Sequence, residues 1–290
     1  MRFAIVTHRA STTNIELASR PLTGRTSVLL SPEDALRELM PGDIALARLD
    51  VRKTLDGVED GLAALALLAG RGVTVLNHPS ALLAAHDKLL TARALERAGL
   101  PHPRTALLLP GAVPPAFELP CVLKPRFGSW GTDVIACHDR QAFAQALLSI
   151  AGKPWFVRNG ALVQELVPPL GHDLRVVVAG GEVVGAIRRV AARGEWRTNV
   201  ALGATREPTQ PSPVAARLAV EAARAIGADL VGVDLLPAGP GRFLVLELNG
   251  AVDFTSEYAP RSDAFRDALF ALARAGTGCA PVVSRLALVG

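Results

Sequence analysis

Leu230-Val231-Gly232-Val233-Asp234-Leu235-Leu236 and Arg242-Phe243-Leu244-Val245-Leu246-Glu247-Leu248-Asn249 flank the turn Pro237-Ala238-Gly239-Pro240-Gly241. Apolar runs around a Gly/Pro turn predict a hairpin. Folding it symmetrically about Pro240 and Gly241 sets Asp234 opposite Glu247. Glu247 and Asn249 are two apart, so their side chains leave the same face of the strand. One face then carries two carboxylates and an amide oxygen. Unpaired carboxylates that close repel each other and resist burial. Mg²⁺, a hard cation that favours a few carboxylates plus phosphate oxygens, relieves both costs. The competing reading is a solvated hairpin face. The apolar flanks, Leu230, Val231, Val233, Leu244 and Leu248 among them, imply a buried sheet instead. Asp234, Glu247 and Asn249 are therefore candidate metal ligands.

Outward from the hairpin, Leu162–Leu166, Leu174–Ala179 and Val183–Val190 predict strands, with helices over Ser212–Ile226 and Ala264–Ala275. This region reads as antiparallel. Upstream, strands Cys121–Lys124 and Val134–Cys137 bracket a glycine-containing loop, Pro125–Thr132, and a helix covers Arg140–Ile150. Asp87–Ala98 is the clearest helix: Asp87 caps its start, Gly99 closes it and Pro101 lies just beyond. Pro110–Pro120 reads as a loop before a strand. Strands at residues 2–7, 43–48 and 73–76 alternate with helices at 32–39 and 61–69, which predicts a parallel sheet layered with helices. The expected fold class is α/β, becoming α+β in the C-terminal part, with lobes at 1–84, 85–160 and 161–290.

Other candidate residues are ambiguous one at a time. Lys124 ends a strand before Gly128, Ser129 and Gly131, and glycines let backbone N–H groups approach phosphate. Most Gly-Ser turns are only turns, and the P-loop spacing is absent. Lys88, in a first helical turn, reads alone as a surface lysine. Gln164-Glu165-Leu166-Val167 ends a strand before Pro168 and Pro169, either as an ordinary strand end or as a hinge whose backbone meets a flat base. Asp173 and Arg175 share a strand face, and Arg188 and Arg189 end another strand before Asn199. They form either a surface salt-bridge patch or a group in which at least one arginine points toward the carboxylate face. Arg48 ends a parallel strand at the edge where ligands bind. It pairs there with a substrate carboxylate or stands exposed in a polar loop.

Composition narrows the function classes. Half of the 290 residues are hydrophobic, and charged residues are at ordinary levels, which argues against disorder. Lys and Arg total 31 against 27 Asp and Glu, spread along the chain without like-charge blocks, so no nucleic-acid footprint is indicated. Cys121, Cys137 and Cys279 lack metal spacing and suggest reduced thiols in a cytoplasm. The N-terminus lacks the longer apolar stretch of a signal peptide. The longest apolar stretch, Leu62–Ala69, is too short to span a bilayer, so no membrane partner is expected.

These pieces, in this order, resemble the ATP-grasp superfamily and specifically its RimK-like branch, which includes ribosomal-protein glutamate ligases and LysX-type enzymes. The carriers are His86-Asp87-Lys88-Leu89-Leu90-Thr91, Leu123-Lys124-Pro125 with Gly128-Ser129-Trp130-Gly131, Val163-Gln164-Glu165, and Gly171-His172-Asp173-Leu174-Arg175. Ala186-Ile187-Arg188-Arg189, Trp196-Arg197-Thr198-Asn199, Val233-Asp234 and Glu247-Leu248-Asn249 complete the ordered set. The resemblance implies an N-terminal parallel-sheet lobe plus two lobes clamping ATP. It implies an ATP- and Mg²⁺-dependent carboxylate–amine ligase that works through an acyl phosphate on an amino acid of the glutamate type. The rival expectations are an ATP-binding scaffold and an ATP-grasp kinase.

By the same resemblance, Lys88 and Lys124 hold phosphates under the Arg126–Thr132 loop. Glu165 to Val167, beside Gln164, hold adenine. Asp173 sits near the ribose, with Arg175 on the same face. Asp234, Glu247 and Asn249 hold two magnesium ions, with manganese as the alternative ion. Arg189, with Arg188, neutralises the acyl phosphate, and Arg48 and Asn199 contact substrate. Partners implied are a small amino-acid substrate, a peptide or acidic carrier-protein acceptor, and further copies of the chain in a homo-oligomer. Thr132-Asp133 departs from the family's more basic or glycine-rich loop, and Gly250-Ala251-Val252-Asp253-Phe254 departs from the ribosomal-protein ligase ending toward the LysX-type one.

Overall fold

The structure is a computed structural model that describes residues 2–20 and 27–277. Cys279 and the last residues of the expected third lobe lie outside the described residues.

The N-terminal part builds a four-stranded parallel sheet. Its elements are β1 (Phe3–Val6), α1 (Thr12–Ser19), β2 (Ser27–Leu30), α2 (Pro32–Glu38), β3 (Ile44–Ala47), α3 (Leu62–Gly70) and β4 (Thr74–Leu76). Strand order is β2-β1-β3-β4. β1 and β3 are buried along their whole length, as strands covered on both faces are. α1 and β2 were not legible in the sequence. α1 begins Thr-Thr-Asn without apolar periodicity, and it buries Thr13 and Asn14 through specific hydrogen bonds instead.

The central part contains α4 (Pro79–His86), α5 (Lys88–Arg97), β5 (Thr105–Leu108), β6 (Cys121–Pro125), β7 (Ile135–Cys137), α6 (Arg140–Ile150), α7 (Pro154–Asn159) and β8 (Ala161–Glu165). Asp87 caps α5 as expected, accepting from Leu89 N and Leu90 N at 3.0 and 3.3 Å. The antiparallel sheet has the order β5-β8-β6-β7. β8 is thus a strand of the central sheet, although the expected boundary at 160/161 opens the third lobe with it. Its apolar run is compatible with either sheet, and its partners decide: Val163 lies opposite Leu123 on one side and Ala106 on the other.

The C-terminal part contains β9 (His172–Ala179), β10 (Glu182–Val190), β11 (Thr205–Pro208), α8 (Pro213–Ile226), β12 (Leu230–Pro237), β13 (Phe243–Asn249) and α9 (Ala264–Thr277). The sheet order is β11-β10-β9-β12-β13. α8 covers one face through its alanine-rich buried stripe. On the other side, Phe3, Ile5 and Leu46 of the N-terminal sheet share a core with Phe254, Phe265 and Leu269. This shared core places the C-terminal edge of the first sheet beside the end of β13. In the hairpin, Asp234 pairs with Glu247 as the symmetric fold predicts, and a bulge then shifts the register so that Leu235 faces Val245. Among the described residues no helix is long and apolar enough to cross a membrane.

Candidate active site

A cleft runs between the central and C-terminal sheets. Its walls include Lys88, Lys124, Gly128, Ser129, Gly131, the stretch Gln164-Glu165-Leu166-Val167, Asp173, Arg189, Asn199, Asp234 and Glu247. Most of the residues singled out in the sequence, scattered over more than half of the chain, therefore meet at one place.

Two lysines mark one end. Lys88, at the first position of α5, donates to Gly128 O at 2.6 Å and lies 3.3 Å from Glu247 Oε2. It is no surface lysine: the loop and the carboxylate cover it. Lys124 is buried and donates to Gln164 Oε1 at 2.7 Å, while Gln164 Nε2 donates to Thr105 Oγ1 at 2.8 Å. Burial disfavours the Lys124 ammonium and lowers its pKa to about 8, an effect opposed by Glu247 and reinforced by Lys88. The protonated form is the one that attracts phosphate. Affinity for ATP is thus expected to be full below pH 8 and to fall as the pH rises through 8 to 10, because Lys124 loses its proton. Bound phosphate favours the ammonium, so the pKa in the complex is higher and the fall, which begins near pH 8, extends to that higher value. Equilibrium titration of ATP across this range checks it; affinity independent of pH up to 10 would remove Lys124 from phosphate binding.

The loop between the lysines is held at both ends. Asp87, besides capping α5, receives Arg126 Nε and Nη2 at 2.8 and 2.6 Å, and Lys88 N donates to Arg126 O at 3.1 Å. Further along, Arg197 Nη1 donates to Gly131 O at 3.1 Å, and Glu195 grips the same guanidinium at 2.9 and 2.8 Å. Gly131 has φ +75°, and a Cβ there would stand 2.8 Å from Asn199 Oδ1. Only glycine lets the loop lie this close to the 195–199 segment.

Across the cleft floor runs a buried charge network. Arg175 binds Asp234 through two parallel bonds of 2.7 Å, and Arg189 reaches Asp234 Oδ2 at 2.8 Å. Arg189 also grips both oxygens of Asp173, which receives Thr198 Oγ1 at 2.6 Å as well. Burial works to raise the Asp234 carboxyl, but Arg175 and Arg189 outweigh it and hold that group well below the usual carboxylate range. Four cations, Lys88, Lys124, Arg175 and Arg189, therefore surround three carboxylates, Asp173, Asp234 and Glu247.

The hairpin residues fit a magnesium ion shared with phosphates. Asp234 Oδ1 accepts only Arg175 Nε, which leaves it a free lone pair. Asn249 shares the strand face of Glu247 two residues on, and its amide oxygen is the atom that would join the set. Among the described residues no group of three His, Cys, Asp or Glu stands ready to hold an ion alone, so an ion here needs oxygens from elsewhere, and Mg²⁺ takes such oxygens from phosphates.

Three expectations are corrected. Arg188 and Arg189 alternate on β10: Arg189 turns inward, whereas Arg188 is half-exposed and faces Glu207 at 3.5 Å, away from the cleft. Arg175 stands behind Asp234 and does not line the cleft, so its partner is the carboxylate and not a nucleotide. Arg48 is neither exposed nor at the surface; its side chain is fully buried. Arg197 and Thr198 lie in a quoted motif but carried no assigned role, because their partners, Gly131 O and Asp173, are distant in sequence.

The comparisons with known proteins agree with this geometry. Residues 85–259 match the model of the RimK-like ATP-grasp domain. A "Probable alpha-L-glutamate ligase" of Thioalkalivibrio sulfidiphilus is 32% identical over 221 residues, covering 74% of this chain and 70% of that protein. Among solved structures, a RimK domain protein ATP-grasp from Sphaerobacter thermophilus superposes with a TM-score of 0.66 at 23% identity, covering 96% of this chain and 100% of that one. D-alanine–D-alanine ligase from Bacillus anthracis complexed with ATP gives 0.68 at 15% identity, covering 96% and 97%. The lysine-flanked glycine loop, the acid-bearing hairpin and the matched domain converge on one conclusion: the chain belongs to the RimK-like ATP-grasp family.

Proposed function

We propose the following chemistry for this ATP-dependent carboxylate–amine ligase. A carboxylate and an amine do not condense unaided in water. Transfer of the γ-phosphoryl group of ATP to a carboxylate oxygen makes an acyl phosphate. The amine nitrogen then attacks the acyl carbon, the C–O bond to phosphate breaks, and ADP and phosphate leave. Lys88 and Lys124 bind the phosphates, and their charges offset the charge spread over the transferring group. The Gly128–Thr132 loop covers that group and keeps water from the acyl phosphate. Arg189 faces the acyl oxygen, and Glu165 to Val167 meet the adenine. Asp234, Glu247 and Asn249 would hold two magnesium ions, or manganese in their place. Bound metal supplies neutralisation of the phosphate charge.

The substrate is an amino acid of the glutamate type, joined to a small molecule, a peptide or an acidic carrier protein. The relatives named as glutamate ligases support that class. The observation that carries the reading is that two lysines, Lys88 and Lys124, and the hairpin carboxylates Asp234 and Glu247 line one cleft beneath a glycine loop, which suits a nucleotide triphosphate with its metal. Phosphate release from ATP and Mg²⁺ should rise at least about 10-fold when the correct amino acids are supplied, since ligases of this kind turn over only with the acceptor in place. Mass spectrometry should then find a product heavier by one residue. Release that no amino acid or peptide stimulates, with ATP nonetheless bound, would point to a carrier-protein acceptor or to a scaffold, and would remove the small-molecule and peptide acceptors.

A further inference from the structure

The glycine loop is anchored at its two ends and nearly free between them. Arg126 is bound to Asp87 at one end, and at the other Asp133 receives Lys153 Nζ at 2.6 Å and Trp155 Nε1 at 2.8 Å. From Gly128 to Thr132, among the described residues, the one internal hydrogen bond is Thr132 N to Ser129 O at 3.2 Å. Burial does not hold this stretch either, because its largest side chain, Trp130, is 54% exposed. Two hydrogen bonds join the stretch to other segments, and both come from cations. Lys88 Nζ donates to Gly128 O at 2.6 Å and Arg197 Nη1 to Gly131 O at 3.1 Å.

Nucleotide acts differently on these two contacts. Lys88 lies at the phosphate end of the cleft, 3.3 Å from Glu247. A phosphate oxygen is a stronger acceptor for an ammonium than a neutral carbonyl, so bound phosphate draws Lys88 from Gly128. Arg197 stays with the loop, because Glu195 fixes its fork. Glu195 Oε1 accepts from Nε at 2.9 Å and Oε2 from Nη2 at 2.8 Å, which leaves Nη1 aimed at Gly131 O. Hydrogen bonds from the Arg197 side chain and backbone lower the Glu195 carboxyl to about 2, so the pair is intact at neutral pH.

The base of this grip is rigid. Next to Arg197, Thr198 Oγ1 donates to Asp173 at 2.6 Å, and Asp173 is buried in the Arg189 network. The 195–199 segment follows β10 of the C-terminal sheet, whereas the loop joins β6 to β7 of the central sheet. The bond from Arg197 therefore ties one wall of the cleft to the other.

We infer that Arg197, oriented by Glu195, is the positioning residue that keeps the glycine loop closed over the phosphates once nucleotide has drawn Lys88 away. Gly131 serves the same contact from the loop side, since its missing Cβ lets the loop approach the 195–199 segment. The inference rests on the ATP-dependent reading above and adds the residue that shuts the site. An open loop admits water to the acyl phosphate, and phosphate is then released without an amide.

Hydrogen exchange followed by mass spectrometry tests this, with a non-hydrolysable ATP analogue and Mg²⁺ as the probe. The analogue is added until protection of the hinge stretch Gln164–Val167 is saturated in each protein. In the wild type it should slow exchange in the hinge and in residues 126–134 alike. In Arg197→Met the slowing in the loop should fall about 10- to 100-fold, the scale of losing a hydrogen bond from a charged donor, while the hinge stays protected. Arg197→Lys keeps a cationic donor and should recover part of the loss. Arg197 is 25% exposed in a segment between strands, so these changes leave the core intact. Loop protection in Arg197→Met within about twofold of wild type would overturn the positioning role alone. Loss of hinge and loop protection together would place Arg197 in nucleotide binding itself and overturn it as well. No analogue-dependent protection in the wild type removes the nucleotide reading, and the role of Arg197 with it.

Discussion

Glu247→Ala is expected to lower ADP formation by about 10³-fold or more, the scale of losing a group that stabilises transferring charge, while the fold persists. Glu247 sits where three lines of the site cross. It lies opposite Asp234 on the hairpin, its carboxylate is 3.3 Å from Lys88 Nζ, and it favours the ammonium form of Lys124. Without it, the two lysines lose the anion they share, and the proposed metal site loses a carboxylate. The fold should tolerate the change, because the Glu247 side chain retains 17% exposure and the buried Lys124, whose pKa is already lowered to about 8, can release its proton. Circular dichroism should match wild type, and a coupled ADP assay should read background. Normal turnover in this variant would show that the hairpin carboxylates do not hold the metal.

Arg189→Met should damage both stability and catalysis. Arg189 is buried and joins Asp173 to Asp234, and both carboxylates are themselves buried. Methionine fills a similar length without charge. Asp173 would then keep only Thr198, and Asp234 only Arg175. Breaking one partner of a buried ion network typically costs about 3–5 kcal/mol, because an uncompensated charge stays behind. Urea unfolding at pH 7 should show that loss. At pH 4 to 5 the loss should shrink, because the orphaned Asp173 can take up a proton and remove its own charge. Arg188→Met provides the contrast: its guanidinium is half-exposed at 3.5 Å from Glu207, and the cost should stay below about 1 kcal/mol. Equal costs for the two variants would mean that the network is not what holds this part of the sheet.

Much of the fold was readable because its signals are local. Capping by Asp87, closure by Gly99, and the apolar alternation of the hairpin strands are each contained within a dozen residues. The Asp234–Glu247 pairing followed from turn symmetry alone. The elements not read from the sequence, α1, β2, α4, β5, α7 and β11, carry weak local patterns and exist because neighbouring elements pack against or pair with them. β8 shows the same limit in another form: its sequence specifies a strand, but only its partners Leu123 and Ala106 assign it to the central sheet.

The candidate site divides along the same line. The residue types and their order pointed to the family, and the two-residue spacing of Glu247 and Asn249 was enough to put both on one face of their strand. Arg188 and Arg189 were both read as facing the acyl phosphate, and only the tertiary structure decided that Arg189 is the inward one. It also decided that Arg175 backs Asp234, that Arg197 grips the glycine loop, and that Arg48 lies buried beneath Asp253. The sequence by itself determined the strongly patterned strands, the cap at Asp87 and the residue types of the site, because backbone propensity and side-chain periodicity act between near neighbours. Which charges pair, and which stay open to a ligand, belonged to the tertiary structure, because burial and a few ångströms between residues far apart in the chain set the energy of a charge.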